Sequence, residues 1–170
     1  MGVTLGRRVV KGGTFIGSVT GVNLGPSLAP KVNNFIGIAG ANWGLYNCMM
    51  MSVIATCNPI NGFYPGMMSS VSLSKHFAEM NNDGIQEGIK TYAFFSTADE
   101  LIGGGDKVFG RYTSEWPTSQ KSKISSTLSH MNMRDKTAAD QYNTCMGNPP
   151  VMVDNEHYTL EVNTVGNLIQ

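Results

Sequence analysis

Two apolar runs constrain the fold of this chain more than any other feature of its sequence. Residues 35–38 form a short apolar run that leads into Gly and Asn, and residues 90–95 form a longer aromatic run that ends at Ser and Thr. Short runs of this kind are typical of buried parallel strands that lead into functional loops. Between them, residues 70–80 place apolar side chains at helical spacing. The order strand, helix, strand predicts an α/β fold with an open, mostly parallel sheet flanked by helices.

The remaining segments complete this α/β pattern. A short helix is predicted over residues 3–11 and is ended by Gly12 and Gly13. It is followed by an extended loop over 14–30, an irregular segment over 48–68, a last strand over 124–128 and a helix over 136–142. We therefore expect one domain over residues 1–145. Pro149 and Pro150 break any helix, so residues 146–170 are expected to be a tail that holds one strand or hairpin, or is disordered.

The charge balance and the apolar runs argue against nucleic-acid binding and against a transmembrane helix. Twelve basic and twelve acidic residues give a formal net charge of zero, whereas a nucleic-acid-binding protein normally presents a basic face. No apolar run approaches the roughly 18 residues that a transmembrane helix needs. The first residues do not resemble a secretory signal. Localisation therefore stays open, and we expect an extracellular protein if a longer parent chain carries a signal peptide.

The cysteines and histidines predict no metal site, and the sequence implies no organic cofactor. Cys48, Cys57 and Cys145 lack Cys-x-x-Cys spacing, and the three histidines do not complete a zinc pattern. The cysteines are either three free thiols or, in an oxidising compartment, a Cys48–Cys57 disulfide with Cys145 left over.

An acid and a histidine follow two successive predicted strands. Asp99 and Glu100 come after the strand over residues 90–95, and His130 comes after the strand over residues 124–128. This is the order of the last two members of a Ser…Asp…His hydrolytic triad. The carboxylate must orient the imidazole, so the two loops are expected to lie side by side. A turn-forming aspartate and a solvated histidine are the alternative explanation of the same residues.

Six stretches of the sequence together resemble the class 2 lipases, a branch of the α/β-hydrolases, and are most similar to the nematode-type small lipases. They are Met-Gly-Val at 1–3 with its helix ending in Gly-Gly, Asn-Leu-Gly-Pro-Ser-Leu at 23–28, Phe-Ile-Gly-Ile-Ala-Gly-Ala-Asn-Trp-Gly at 35–44, Asn-Pro-Ile-Asn-Gly-Phe at 58–63, Phe-Ser-Thr-Ala-Asp-Glu-Leu-Ile-Gly at 95–103, and Ser-His at 129–130. The resemblance covers residues 1 to about 142 and implies a partial α/β-hydrolase fold whose early strands are missing.

The resemblance also assigns the site. It implies that Asp99, rather than Glu100, is the triad acid and that His130 is the triad histidine. The nucleophile of the family lies in a Gly-x-Ser-Met-Gly turn, and Met1-Gly2 matches the end of that turn. The serine is therefore expected directly before Met1 on a longer chain, with the backbone N–H of Met1 as an oxyanion-hole donor. A truncated paralogue without activity is the competing explanation.

The implied activity is hydrolysis of carboxylic esters, including triacylglycerols, in lipid catabolism. No serine here has a Gly-x-Ser-x-Gly context, so the chain alone is expected to be inactive and, with a sheet edge exposed, prone to aggregate. The alternative is a non-catalytic lipid-binding or interaction protein derived from a lipase.

Several other residues have two explanations or an incidental one. Trp43 and Tyr46 either line an acyl pocket or pack in the core, and the methionines at 49–51 and 67–68 either face a lipid interface or are core. His76 is expected on the surface of the second helix, and His157 is expected to be incidental in the tail.

Overall fold

A computed structural model describes residues 1–15, 21–67 and 73–155. The helices are α1 (Gly2–Lys11), α2 (Lys75–Asn82), α3 (His130–Lys136) and α4 (Ala138–Cys145). The strands are β1 (Thr14–Phe15), β2 (Val22–Asn23), β3 (Asn34–Ile38), β4 (Lys90–Ser96), β5 (Lys107–Val108), β6 (Arg111–Tyr112), β7 (Lys121–Ser125) and β8 (Val153–Asp154). No helix in this described part of the chain is long and apolar enough to cross a membrane.

The main sheet has four strands in the order β3-β4-β7-β8. The strands β3, β4 and β7 run parallel, and β8 adds an antiparallel strand beside β7. The register places Ile38 opposite Phe94 and Ser96 opposite Ser125, so the three parallel strands end at one edge. In open sheets of this kind, functional loops lie at the carboxyl edge. The mixed α/β class predicted from the apolar runs is confirmed.

The core lies on both faces of β4, the central parallel strand. Alternate residues of a strand point to opposite faces. Ala93 and Phe95 therefore pack with Trp116 on one face, and Tyr92 and Phe94 pack with Met133 of α3 on the other. Because both faces of β4 are covered, its apolar run is continuous rather than alternating.

Helix α1 buries a charged face. Arg7 and Lys11 are buried, while Leu5 and Val9 are exposed. The guanidinium of Arg7 donates from Nε to Glu87 Oε1 at 2.8 Å, and from Nη1 to Asn81 Oδ1 at 3.0 Å. This ion pair is buried on both sides. An apolar stripe on α1 therefore faces outward, the reverse of an ordinary amphipathic helix.

Glu87 is the acceptor that gathers the neighbouring donors. Its Oε2 accepts hydrogen bonds from Trp116 Nε1 at 2.8 Å and Thr118 Oγ1 at 2.6 Å, and Lys11 Nζ lies 3.5 Å from its Oε1. Burial raises the pKa of Glu87. The charges of Arg7 and Lys11 and these hydrogen bonds lower it by more than burial raises it, so the pKa lies below its ordinary value. Glu87 is therefore ionised at neutral pH.

Several element boundaries differ from the sequence predictions. The predicted last strand, 124–128, lies three residues earlier, as Lys121–Ser125. The sequence did not indicate this start because the strand contains two lysines and a single large apolar residue, Ile124. The predicted helix over 136–142 is wrong in extent, since two helices, His130–Lys136 and Ala138–Cys145, meet at Thr137. The second helix begins at Lys75, and the predicted residues 70–72 lie outside the described part of the chain.

Three further differences concern the predicted loops and tail. The predicted loop over 14–30 contains the two-stranded ribbon of β1 and β2. Residues 153 and 154 of the predicted tail form β8, and the rest of the tail from residue 156, including His157, lies outside the described residues. The surface position predicted for His76 is wrong: its side chain is buried, at 5% exposure, and its ring meets Phe15 edge-on at 5.2 Å.

Replacing Glu87 by Ala tests the buried ion pair. Removing one partner leaves Arg7 as an uncompensated buried charge, which costs about 3–5 kcal/mol. We expect a loss of that size in the free energy of unfolding, measured by urea denaturation with tryptophan fluorescence. Glu79→Ala is the matched control, since Glu79 forms a partly exposed helical pair with Lys75 whose loss costs at most about 1 kcal/mol. Equal losses in the two variants would contradict this account.

Candidate active site

Asp99 and His130 meet at the carboxyl edge of the sheet. Asp99 Oδ2 lies 2.7 Å from His130 Nδ1. The Asp99 side chain is buried and the His130 side chain is partly exposed. With the ring proton on Nδ1 donated to Asp99, the Nε2 lone pair of His130 is left to accept a proton. The pair has the geometry that a carboxylate needs to orient a general base.

The Asp99 carboxylate is held by its own loop. Its Oδ1 accepts backbone hydrogen bonds from Leu101 N at 2.9 Å and Ile102 N at 2.8 Å. These bonds occupy the oxygen that does not face His130, so the side chain has one orientation. Ordering of this kind is what keeps a catalytic imidazole in a fixed tautomer and direction.

Glu100 has a different role from its neighbour. Its Oε2 accepts from the backbone N of His130 at 3.1 Å, at the start of α3, while the Ser129 side chain accepts from Asn132 N at 3.3 Å. Hydrogen bonds from its own backbone N–H and from that of His130 lower the pKa of Glu100. Glu100 therefore caps the helix that carries His130, and Asp99 is the acid that pairs with the ring.

Strand register explains why these residues meet. Ser96 at the end of β4 lies opposite Ser125 at the end of β7, and Thr97 N donates to Ser125 O at 2.9 Å. The loops that leave the two strands therefore start side by side. Asp99 lies three residues beyond Ser96 and His130 lies five beyond Ser125, so two short loops bring the side chains together.

The start of α1 lies at the same edge. A Cβ added to Gly40, just past the end of β3, would lie 2.9 Å from Val3 Cγ1. Met1 lines an apolar cavity of about 310 Å³. Its other lining residues are Thr4, Leu5, Phe15, Ala55, Thr56, Asn61, Gly62, Phe63, His76 and Phe77. Asp99 and His130 do not line this cavity. The structure therefore brings Asp99 and His130 together, but Met1 lies at a cavity that these two residues do not line.

His76 lines that cavity with an uncharged imidazole ring. Burial lowers the pKa of His76 to about 4, helped by the positive charges of Arg8 and Arg7. The imidazole is therefore uncharged at neutral pH and packs as an aromatic ring. In the described ranges, no group of three or more His, Cys, Asp or Glu side chains is arranged to hold a metal ion.

The comparison with protein families decides the relationship. The family model described as lipase (class 2) matches residues 1–143. This chain belongs to the class 2 lipase family. Searches of curated proteins and of solved structures gave no match. The match supports a lipase-like hydrolase of lipid metabolism with lipid or ester substrates.

Trp43 and Tyr46 differ in their surroundings in this class 2 lipase chain. Trp43 is buried under the guanidinium of Arg111, 4.9 Å from the ring centroid, so it packs in the interior. Tyr46 is half-exposed and rests on Gly104, where a Cβ would lie 2.6 Å from the tyrosine ring. Gly104 follows Asp99 in the same loop, so Tyr46 connects the segment after β3 with the loop of the acid.

A disulfide closes the loop that follows Tyr46. Cys48 and Cys57 are bonded, with Cα atoms 5.1 Å apart, and Cys145 is free and exposed. Of the two alternatives that the sequence left open, the structure has the bridged one. Both bridged cysteines are buried, which anchors the two ends of the loop.

Asp106 and Ser114 were not anticipated from the sequence. They lie buried behind the Asp99 loop and contact each other through their side chains. An aspartate after three glycines looks like an ordinary turn residue, and nothing local marks its partner. Only the fold brings the two residues together.

Removing the disulfide tests its contribution to stability. Closing a loop of about ten residues contributes about 2–3 kcal/mol through chain entropy. We expect the double variant Cys48→Ser, Cys57→Ser to lose that much free energy of unfolding in urea. The control Cys145→Ser changes an exposed free thiol and should be neutral. If the double variant matched the control, the bridge would not stabilise the loop.

Proposed function

We propose that this chain carries the acid and the base of a serine ester hydrolase with an α/β-hydrolase fold, acting on acylglycerols or related carboxylic esters. The observation that carries the proposal is the 2.7 Å contact between Asp99 Oδ2 and His130 Nδ1 at the carboxyl edge of a parallel sheet. Two residues 31 apart in the chain meet there, in the order of the acid and the histidine of a triad and at hydrogen-bond distance. The family match supports the same reaction class.

The proposed reaction needs a serine from a segment that precedes Met1 in a longer protein, which we propose to be similar to the nematode-type small lipases. Its hydroxyl attacks the ester carbonyl while His130 Nε2 accepts the proton. His130 then returns that proton to the leaving alcohol, and water repeats the sequence on the acyl-enzyme. Asp99 orients the ring throughout and stabilises its charged form. The backbone N–H of Met1 is the proposed donor to the developing oxyanion.

A lipid interface is the proposed surrounding of this site. Residues 32–74 contain no Lys, Arg, Asp, Glu or His. Inside this stretch, the disulfide loop exposes Met50 and Val53 almost completely, at 92% and 93%. Ile54 and Met51 are also exposed. Contiguous exposed apolar side chains mark interaction sites, and an uncharged patch can enter a lipid surface without desolvating a charge.

The position of the disulfide loop connects this surface with the acid. Tyr46, just before the loop, rests on Gly104 in the loop that follows Asp99. A lipid surface that receives Met50 and Val53 would therefore lie beside the segment that carries the acid. The core alternative for Met50 and Met67 is wrong because both are exposed, and Met68 lies outside the described residues.

The second candidate function is a non-catalytic lipid-binding protein that retains only the apolar surface. The exposed disulfide loop favours this candidate as much as it favours the enzyme. The fixed orientation of Asp99 favours the enzyme, because lipid binding alone does not require a carboxylate held by two backbone N–H groups and a ring nitrogen.

Hydrolysis by a chain extended upstream to include the serine tests the enzyme proposal. We expect turnover of a short-chain ester, with kcat lowered about 10⁶-fold by His130→Ala and about 10⁴-fold by Asp99→Asn. Asp135→Asn, an exposed change on the helix that carries His130, is the control and should keep activity. A folded, extended protein without hydrolysis, or one unaffected by His130→Ala, would leave the lipid-binding candidate.

Partition to lipid vesicles tests the interface proposal on the chain as it is. We expect binding to neutral phosphatidylcholine vesicles containing triacylglycerol, and about 10- to 100-fold weaker binding for the double variant Met50→Ser, Val53→Ser. Val151→Ser changes an equally exposed valine outside the loop and should not matter. Because the patch is uncharged, raising the salt concentration should leave binding unchanged. Binding that requires anionic lipid, or that ignores the double substitution, would exclude this surface.

A further inference from the structure

Asp106 is a buried acid whose surroundings the proposed reaction leaves unexplained. Its exposure is 0%, and its backbone has a φ of +62°, a conformation that is costly for a residue with a side chain. The backbone holds it there: Asp106 N donates to Gly103 O at 3.0 Å, and Asp106 O accepts from Thr113 N at 2.7 Å. In the part of the chain that the structure describes, no ion pair joins its carboxyl group to a cation.

The contacts of Ser114 show where a proton must lie. Ser114 Oγ is 2.8 Å from Gly40 O and 2.6 Å from Asp106 Oδ1. A carbonyl oxygen only accepts, and a serine hydroxyl has one hydrogen to donate. If Ser114 donates to Gly40 O, the short contact with Asp106 needs a hydrogen from Asp106. Both contacts are then hydrogen bonds only when Asp106 is protonated. The other oxygen, Oδ2, accepts from Ser114 N at 3.2 Å, as the carbonyl oxygen of a carboxylic acid would.

The charges around Asp106 favour the same state. Burial raises the pKa of Asp106 most strongly, and the negative charges of Asp99 and Glu115 raise it too. Hydrogen bonds donated by Ser114 to an ionised carboxylate would lower the pKa, but it still reaches about 8. The loop after β3 contributes no charge, because residues 32–74 have none. Arg7 contacts this loop through Asn42, and its charge is paired with Glu87.

We propose that Asp106 is a neutral carboxylic acid in the folded protein and acts as a positioning residue. Its carboxyl O–H donates a hydrogen bond to Ser114 Oγ, and Ser114 in turn donates to Gly40 O, so the Asp99 loop is held against the loop after β3. The connection to the acid is short: Gly103 accepts from Asp106 N through its oxygen and donates its own N–H to Asp99 O at 3.1 Å. Ionising Asp106 would remove the donor and add a second negative charge near Asp99. The proton position is inferred from the two contacts of Ser114 and does not depend on the proposed function, whereas the effect on ester hydrolysis rests on it.

Proton linkage tests the proposal without any assay of activity. An acid with a raised pKa in the folded state holds a proton that the unfolded chain releases, so stability is lost as pH rises toward the folded pKa. We expect this group to raise the unfolding constant of the chain up to about tenfold per pH unit between roughly pH 4 and pH 8, and no further above that. In Asp106→Asn that contribution disappears, and the amide can still donate to Ser114. The ratio of the two unfolding constants should therefore depend on pH.

Asp154→Asn is the matched control, since Asp154 is exposed and paired with Lys121 at the surface. Its ratio to the parent should stay flat over the same range. A flat ratio for Asp106→Asn as well would mean that Asp106 is ionised in the folded protein and would overturn the proposal.

A second measurement needs no variant. Carbon-13 chemical shifts of the aspartate carboxyl groups in the folded chain should show one aspartate that loses its proton near pH 8. If every aspartate is ionised at neutral pH, the proposal is wrong. In the extended, active protein, Asp106→Asn should shift the alkaline limb of kcat/KM upward. An unshifted limb together with pH-dependent linkage would reject only the positioning role, and an absence of hydrolysis in every form would reject only the proposed function.

Discussion

The buried ion pair between Arg7 and Glu87 is the interaction on which the rest of the structure depends. Two buried charges are tolerated only when each is compensated, and here loss of Glu87 would leave the Arg7 guanidinium without its ion-pair partner. Arg7 also donates to Asn42 in the loop after β3 and to Asn81 at the end of α2. Glu87 accepts from Trp116, which packs on β4. One pair of charges therefore fixes the position of α1 relative to the sheet.

This polar centre continues to the carboxyl edge through hydrogen bonds. Asn42 accepts from Arg7 and donates through Nδ2 to Ser114 O at 3.0 Å, and Ser114 is bonded to Asp106 behind the Asp99 loop. Such a buried hydrogen-bond network is stiff, because breaking one of its bonds leaves further unpaired groups in a medium of low dielectric constant. The loop that carries the proposed acid and the helix that follows the proposed oxyanion donor Met1 are thus held by the same interior contacts. These interior contacts support the 2.7 Å pairing of Asp99 with His130.

The sequence predicted the parts of the fold that depend on local pattern and chain order. The strand β4, the helix α1 and the meeting of Asp99 with His130 follow from an apolar run, a terminating Gly pair and two strand ends in succession. The catalytic roles of that pair stay a prediction. The buried charges of α1 could not be found locally, because the partner of Arg7 is 80 residues away. The surface position predicted for His76 was wrong for the same reason. Its neighbour Phe15 lies on β1, and the sequence of α2 alone does not show that the two elements pack together.

The inverted helix α1 has a consequence for the outer surface of the sheet. Because its charged side faces the interior, Leu5 and Val9 face outward, and Gly6 lies against Phe35 of β3. Among the described strands, β3 lies at the outer end of the sheet, with one side of its backbone unpaired. An open strand edge favours pairing with a further strand. A parallel strand placed there and followed by α1 and β3 would form a β-α-β unit, a connection that is right-handed as a rule, with its turn at the carboxyl edge beside Gly40. The proposed serine would lie in that turn, so the open edge of β3 is the place that the proposed upstream strand would occupy.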